Sequence, residues 1–214
     1  MRGEMRERGL IIEARGVVLD GKLAKIGDLW ALVCHPHPAY GGDMENNVVM
    51  ACCEAFWEKG ISTLRFNFRK AHRATGGEEE TGPEDVSSAL DLLLRVEGCR
   101  SEGIILAGYS FGAWAALKAA EKRGEEFLGW IAIAPPLAIW DFSFARNVRG
   151  KAMIIAGALD HLCPPEKLDE FFGALEGPKK IHYIEGADHF FWGQEAQLRT
   201  IIARELPFFV SGGR

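Results

Sequence analysis

Apolar segments alternate with amphipathic segments along most of the chain. The apolar segments that predict strands of a parallel sheet cover residues 30–34, 61–66, 104–107, 127–134, 151–156 and 180–184. Apolar residues at helical spacing follow most of them, and the predicted helices begin near Asp43, at Pro83, after Ser110, at Pro165 and at Gln194. This order predicts an α/β fold with a mostly parallel, doubly wound sheet and helices on both faces.

The N-terminal region has a different pattern, which is typical of short antiparallel strands. Three β segments are predicted over 10–14, 17–19 and 22–26, with Asp20-Gly21 as the hairpin turn between the last two. The first helix is expected to end at Lys59-Gly60.

Length and composition favour one domain over residues 1–214. Hydrophobic residues make up 48% of the chain and charged residues 26%, as in soluble globular proteins. The connection between the strand that ends at Ala134 and the one that begins at Lys151 is too short for a large cap domain.

Charge and cysteine content restrict the partners and the compartment. A net charge of −5 argues against nucleic acid or an anionic membrane as the main partner. No apolar run approaches the roughly 20 residues of a membrane helix, and the N-terminus lacks a signal-peptide pattern. The five cysteines have no paired metal spacing, so a reducing, cytoplasmic setting is expected.

The most informative motif is Gly108-Tyr109-Ser110-Phe111-Gly112, between a predicted strand and a predicted helix. A nucleophile elbow requires this order, because the sharp turn exposes the serine hydroxyl and leaves no room for Cβ atoms at the flanking glycines. The alternative is an ordinary strand–glycine–helix junction, which the motif by itself does not exclude.

Two further residues complete a candidate catalytic triad. Asp160 and His189 each follow a predicted strand, in the order Ser, Asp, His that hydrolases of this topology use. Because parallel strands end at the same edge of a sheet, both are expected beside Ser110. The alternatives are that Asp160 only stabilises a turn, that Asp188 or Glu185 is the acid, and that His189 is a surface histidine.

The loop over residues 35–42 follows the strand after which the second oxyanion-hole amide normally arises. We expect the backbone amides of Phe111 and His37 to form the oxyanion hole, since the prolines of this loop have no amide hydrogen. A rival interpretation makes His35 and His37 metal ligands, but the sequence offers no further ligands at suitable spacing. Neither a metal nor a cofactor is expected.

Several motifs together resemble a family of small, lidless α/β-hydrolases related to the dienelactone hydrolases and broadly esterase-like. They are the His-Pro-His-Pro-x-Tyr-Gly-Gly loop at 35–42, the segments 64–69 and 108–113, and the shorter matches at 134–136, 157–160 and 188–191. The resemblance implies the α/β-hydrolase fold and a triad of Ser110, Asp160 and His189. One segment departs from the family pattern: residues 70–77 replace the usual first glycines with bulkier, basic residues.

These observations predict a serine hydrolase that cleaves an ester or thioester of a small-molecule substrate through an acyl-enzyme. Aromatic residues in the loops are candidates for an apolar substrate pocket, namely Tyr40, Trp140, Phe142 and Phe190. A serine peptidase of the same fold and a non-catalytic binding protein are the alternatives. The sequence does not predict the oligomeric state.

Overall fold

A single eight-stranded sheet forms the centre of the molecule in the computed structural model, which describes residues 7–69, 78–96 and 98–211. The strands are β1 (Arg8–Ala14), β2 (Val17–Ala24), β3 (Trp30–Cys34), β4 (Ser62–Phe66), β5 (Ile104–Tyr109), β6 (Gly129–Ile133), β7 (Lys151–Gly157) and β8 (Lys179–Ile184). Their spatial order is β1-β2-β4-β3-β5-β6-β7-β8. Strands β3 to β8 are mutually parallel, whereas β2 pairs antiparallel with both β1 and β4. The predicted mostly parallel α/β fold is confirmed.

Helices cover both faces of the sheet. They are α1 (Asn47–Glu58), α2 (Glu78–Leu94), α3 (Phe111–Arg123), α4 (Pro165–Ala174) and α5 (Glu195–Val210). Because side chains alternate along a strand, Leu32 packs in the core shared with α2, α3 and α4, while Val33 packs in the core shared with α1 and α5. Both cores consist of buried apolar side chains, which explains why the central strands read as nearly continuous apolar runs.

The N-terminal hairpin differs from its prediction. The turn lies at Arg15-Gly16, where φ is 43° and 86°, and β2 runs without a break through Asp20-Gly21. Gly21 pairs with Leu10 on one side and Phe66 on the other, and a Cβ there would approach the Leu10 side chain to 2.9 Å. The glycine therefore serves close packing inside a strand, and the predicted Asp-Gly turn was wrong.

Two helix starts also differ from prediction. Helix α1 begins at Asn47, because the Asn46 side chain accepts a hydrogen bond from the Val48 amide, whereas Asp43 stabilises an earlier turn. Helix α2 begins at Glu78 and includes Pro83, although proline was expected at its first position. Helix α2 is fixed to the sheet by its buried apolar face, which includes Leu90.

The connection from β6 to β7 contains only one short 3-10 helix, Ser143–Asn147, and no cap domain. Among the residues that the structure describes, no helix is both long and apolar enough to cross a lipid bilayer. The basic segment 70–77, which departs from the family pattern, lies outside the described residues.

Candidate active site

Ser110 lies in the sharp turn between β5 and α3. Its backbone has φ 55° and ψ −121°, a conformation that residues with a side chain seldom adopt. The turn is fixed by a hydrogen bond of 2.8 Å from the Ser110 amide to the carbonyl of Ile133 at the end of β6. The strand–serine–helix geometry of a nucleophile elbow is present.

The two glycines of the motif are required by space. A Cβ on Gly108 would lie 2.4 Å from the carbonyl oxygen of Gly112. A Cβ on Gly112 would lie 2.4 Å from the carbonyl oxygen of Cys34 and 2.5 Å from that of His35. Helix α3 therefore begins in direct backbone contact with the end of β3, as the motif predicts.

Three buried side chains from different loops form one chain of hydrogen bonds. The His189 Nε2 atom lies 2.9 Å from the Ser110 hydroxyl, and the Nδ1 atom lies 2.8 Å from Asp160 Oδ2. Because an ionised carboxylate only accepts, Nδ1 carries the proton, and Nε2 is left to accept from the serine hydroxyl. The three residues singled out in the sequence are brought together in the arrangement of a catalytic triad.

Asp160 both faces the catalytic histidine, as expected of the acid of a triad, and stabilises its own turn, which was the alternative role. Its second oxygen, Oδ1, accepts hydrogen bonds from the amides of Leu162 at 2.8 Å and Cys163 at 3.1 Å. The same carboxylate thus stabilises its own turn and faces His189. Asp188 is exposed and accepts a hydrogen bond from the Phe190 amide.

Close backbone contacts hold the Asp160 and His189 loops together. The Leu159 amide donates to the Ala187 carbonyl at 2.9 Å. A Cβ on Gly157, at the end of β7, would lie 2.4 Å from that same Ala187 oxygen. A side chain at position 157 would therefore separate the two loops.

Tyr109 also fixes the histidine loop, a role that was not predicted from the sequence. Its buried hydroxyl donates to the backbone carbonyl of His189 at 2.8 Å. Burial raises the pKa of this phenol well above its usual value, so the hydroxyl keeps its proton and remains a donor. Its position next to Ser110 was the only signal in the sequence, and the partner is 80 residues away.

The loop that follows β3 lies against the start of α3. His37 precedes the 3-10 helix Pro38–Tyr40, and its ring lies 5.0 Å from that of Phe111, centroid to centroid. Phe111 is the first residue of α3, so its amide is among those that have no acceptor within the helix. The two residues expected to form the oxyanion hole are thus neighbours.

His35 has a structural role that was not predicted from the sequence. Its Nε2 accepts a hydrogen bond from the Phe68 amide at 2.9 Å, and Nδ1 donates to the Pro36 carbonyl at 2.6 Å. Burial lowers the pKa of this imidazole to about 4, so the ring is neutral. With both nitrogens engaged, His35 is a poor metal ligand. Within the described ranges, no group of three or more His, Cys, Asp or Glu side chains is suitably arranged for a metal.

A cavity of about 660 Å³ opens above Ser110 and His189. Three of the four predicted pocket residues line it, namely Tyr40, Trp140 and Phe190. The fourth, Phe142, does not: it is 3% exposed, and its ring packs against Phe171 at 5.7 Å between centroids. An aromatic residue in a short loop faces either the cavity or the core, and the sequence pattern does not distinguish the two.

Comparison with known proteins agrees with this geometry. Residues 31–201 match the sequence profile of a family described as an alpha/beta hydrolase domain. The chain belongs to the α/β-hydrolase family. An uncharacterized protein of Rickettsia prowazekii (strain Madrid E) is 34% identical over 171 residues, which cover 75% of this chain and 71% of that protein.

Solved α/β-hydrolase structures extend the likeness to nearly the whole chain. An alpha-beta serine hydrolase homologue from Coxiella burnetii is 30% identical with a TM-score of 0.80, covering 93% of this chain and 97% of its own. A serine hydrolase without a lid from Xanthomonas campestris is 26% identical with a TM-score of 0.83, covering 98% and 97%. The expected membership in the α/β-hydrolase family is confirmed.

Unusual backbone conformations in this α/β-hydrolase occur in segments next to the site as well as at Ser110 itself. Among the described non-glycine residues, only Arg15, Ser110, Ala134 and Phe191 have a positive φ. Arg15 belongs to the hairpin turn. Ser110 directly follows β5, Ala134 directly follows β6, and Phe191 lies two residues after His189. Strain of this kind persists where the surrounding structure holds it in place, and it is frequent at active sites.

Proposed function

We propose that this protein is a serine hydrolase that cleaves an ester or thioester through an acyl-enzyme on Ser110. The observation that carries the proposal is the unbroken hydrogen-bond chain from the Ser110 hydroxyl through His189 to Asp160. The two solved relatives described as serine hydrolases support it.

In the first half-reaction, His189 Nε2 accepts the hydroxyl proton while Ser110 Oγ attacks the carbonyl carbon. The imidazolium that forms is stabilised by Asp160, whose Oδ2 lies 2.8 Å from Nδ1. His189 then gives the proton to the leaving alcohol or thiol, and the acyl group stays on Ser110. In the second half-reaction, water activated by His189 releases the carboxylic acid.

The developing oxyanion is assigned to the amides of Phe111 and His37. Phe111 offers its amide at the N-terminus of α3, where the helix dipole also favours negative charge. His37 lies beside it, with its ring against the Phe111 ring. Removing one such donor typically lowers kcat by roughly 10²- to 10³-fold.

The proposed reaction is tested by labelling with a fluorophosphonate probe. The wild type is expected to be labelled at Ser110 and to hydrolyse p-nitrophenyl esters, whereas Ser110→Ala does neither. Ser88→Ala is the matched control, because the Ser88 hydroxyl lies on α2 and donates to the Glu84 carbonyl. Equal labelling of wild type and Ser110→Ala, or no labelling of the wild type, would refute the nucleophile assignment.

A serine peptidase with the same triad predicts a different result from the same protein. Peptide p-nitroanilides compared with p-nitrophenyl esters separate the two activities. We expect turnover of the esters alone, and faster turnover of the anilides would contradict the ester proposal.

We also propose a reducing compartment, such as the cytoplasm, for this protein. All five cysteines are free and buried. Burial raises the pKa of the Cys52 thiol well above its usual value, which disfavours the reactive thiolate. The described residues include all five cysteines, and none of them forms a disulfide of the kind that secreted domains often have.

A further inference from the structure

The mouth of the catalytic cavity carries large apolar side chains that remain in contact with solvent. Tyr40, Ile139, Phe190 and Trp192 line it and are all exposed. Among the described residues, no Asp, Glu, Lys or Arg lines this cavity. A surface of this kind favours an uncharged, apolar ligand.

The chemistry assigns a direction to each part of an ester. The leaving alcohol must lie where His189 Nε2 can protonate it, so it faces the histidine loop. In that loop the Phe190 ring lies 5.7 Å from the His189 ring, centroid to centroid. The acyl group extends to the other side. There the Phe111 ring lies 5.5 Å from Trp140, centroid to centroid.

A second chamber of about 560 Å³ adjoins the cavity on this acyl side. The two share His37, Tyr40, Ile139 and Trp140 as lining residues. Trp114 and Phe144 add an aromatic surface in the second chamber, and Trp114 lies 4.4 Å from Trp140 between ring centroids. Ser110 lines the first chamber and not the second, so the second chamber lies farther from the nucleophile.

Two charged groups also line the second chamber, and each is held by neighbouring residues. Lys118 Nζ lies 3.3 Å from the Glu121 carboxylate and 4.2 Å from the Phe144 ring centroid. The Asp141 carboxylate accepts hydrogen bonds of 2.8 Å from both the amide and the hydroxyl of Ser143. The hydrogen bonds from Ser143 lower the pKa of the Asp141 carboxyl, which therefore stays negatively charged. Because Lys118 is already paired with Glu121, a carboxylate on the ligand would meet a like charge and gain no partner here.

Building on the proposed function, we infer that the substrate carries an extended, uncharged apolar acyl group. The acyl chain runs from Ser110 past Ile139 and Trp140 and ends against Trp114 and Phe144. The second chamber is therefore an acyl-binding subsite, and Ile139 is a specificity-determining residue at the junction of the two chambers.

The test compares kcat/KM for p-nitrophenyl acetate and p-nitrophenyl octanoate, both below the micellar range. Burying a methylene is worth roughly a threefold to fourfold gain in binding, so six further methylenes, partly buried, should raise kcat/KM at least about tenfold. The p-nitrophenyl monoester of suberic acid has the same chain length with a terminal carboxylate. It is expected to react at least about tenfold more slowly than the octanoate, because the carboxylate loses hydration without gaining a partner.

The variant Ile139→Glu introduces a charge at the junction of the chambers and is expected to lower the octanoate-to-acetate ratio about fivefold or more. Ile11→Glu is the matched control, because Ile11 is also 65% exposed but lies on β1, at the far edge of the sheet. Its ratio should equal that of the wild type.

The outcomes separate this inference from the function on which it rests. If Ser110 is labelled by the fluorophosphonate but acetate is the better substrate, or Ile139→Glu keeps the wild-type ratio, the acyl subsite is refuted and the hydrolase proposal stands. Faster turnover of the suberate monoester would refute the uncharged acyl group. Absence of both labelling and turnover would refute the proposed function, and the subsite with it.

Discussion

Protonation of His35 is expected to destabilise the fold as the pH falls. In the folded protein its ring is 1% exposed, it donates to Pro36 and accepts from Phe68, and its pKa is lowered to about 4 from the ordinary value of 6.5. Between these two pH values the unfolded chain binds a proton that the folded protein does not bind. The free energy of unfolding therefore increases with pH across this window.

The magnitude follows from the size of the pKa difference. A pKa difference of one corresponds to 1.36 kcal/mol, so lowering the His35 pKa from 6.5 to about 4 corresponds to about 3 kcal/mol in the free energy of unfolding. This stability is fully present above pH 6.5 and mostly lost by pH 4.5. That is a large part of the roughly 5–15 kcal/mol by which domains are stable.

Urea unfolding monitored by tryptophan fluorescence, at pH 7.5 and pH 4.5, measures this effect. The comparison variant is His35→Gln, whose amide oxygen accepts from the Phe68 amide but does not titrate. At pH 7.5 we expect this variant to be about 1 kcal/mol less stable, because the hydrogen bond to the Pro36 carbonyl is weakened.

From pH 7.5 to pH 4.5, the free energy of unfolding of the wild type should fall by about 2–3 kcal/mol more than that of His35→Gln. Other acidic and basic groups titrate in both proteins, so their contributions cancel in this difference. Equal losses would refute the argument that buried His35 remains neutral in the folded state.

Three further substitutions test the site. Asp160→Asn should lower kcat for ester hydrolysis roughly 10³- to 10⁴-fold. Two backbone amides hold the side-chain oxygen and turn the NH₂ group toward His189, which forces the wrong tautomer of the imidazole. A kcat near that of the wild type would contradict this prediction. Gly112→Ala should lower the free energy of unfolding by about 1–3 kcal/mol and abolish fluorophosphonate labelling, because the new Cβ would meet two backbone carbonyls. Gly173→Ala is the control, because the space around its Cβ is open, and urea unfolding should show it to be neutral or stabilising. Tyr109→Phe should lower kcat with little change in KM, because the His189 loop loses the hydrogen bond from the Tyr109 hydroxyl. Tyr183→Phe is the control, since it removes a hydroxyl that is bonded to Asp169 at the edge of the sheet. Equal kinetics for the two variants would exclude a positioning role for Tyr109.

The sequence was most informative where function depends on topology. Ser110, Asp160 and His189 each follow an apolar run, and parallel strands bring such positions to one edge of a sheet. The spatial proximity of the three residues therefore followed from strand order alone.

Contacts between distant parts of the chain could not be predicted in this way. The partner of Tyr109 is 80 residues away and that of His35 is 33 residues away, and neither pairing leaves a local pattern. Local signals also failed where packing overrode them. Asp20-Gly21 is typical of a turn, but Gly21 gives Leu10 the space to pack within the sheet.

The left-handed backbone of Ser110 implies that the fold and the reaction make opposing demands on this position. A conformation of this kind costs of order 1–3 kcal/mol for a residue with a side chain, and glycine adopts it freely. The residue that would suit the turn best thus has no hydroxyl. Stability alone would favour glycine at this position, so the serine meets the requirement of the proposed reaction at the expense of backbone strain.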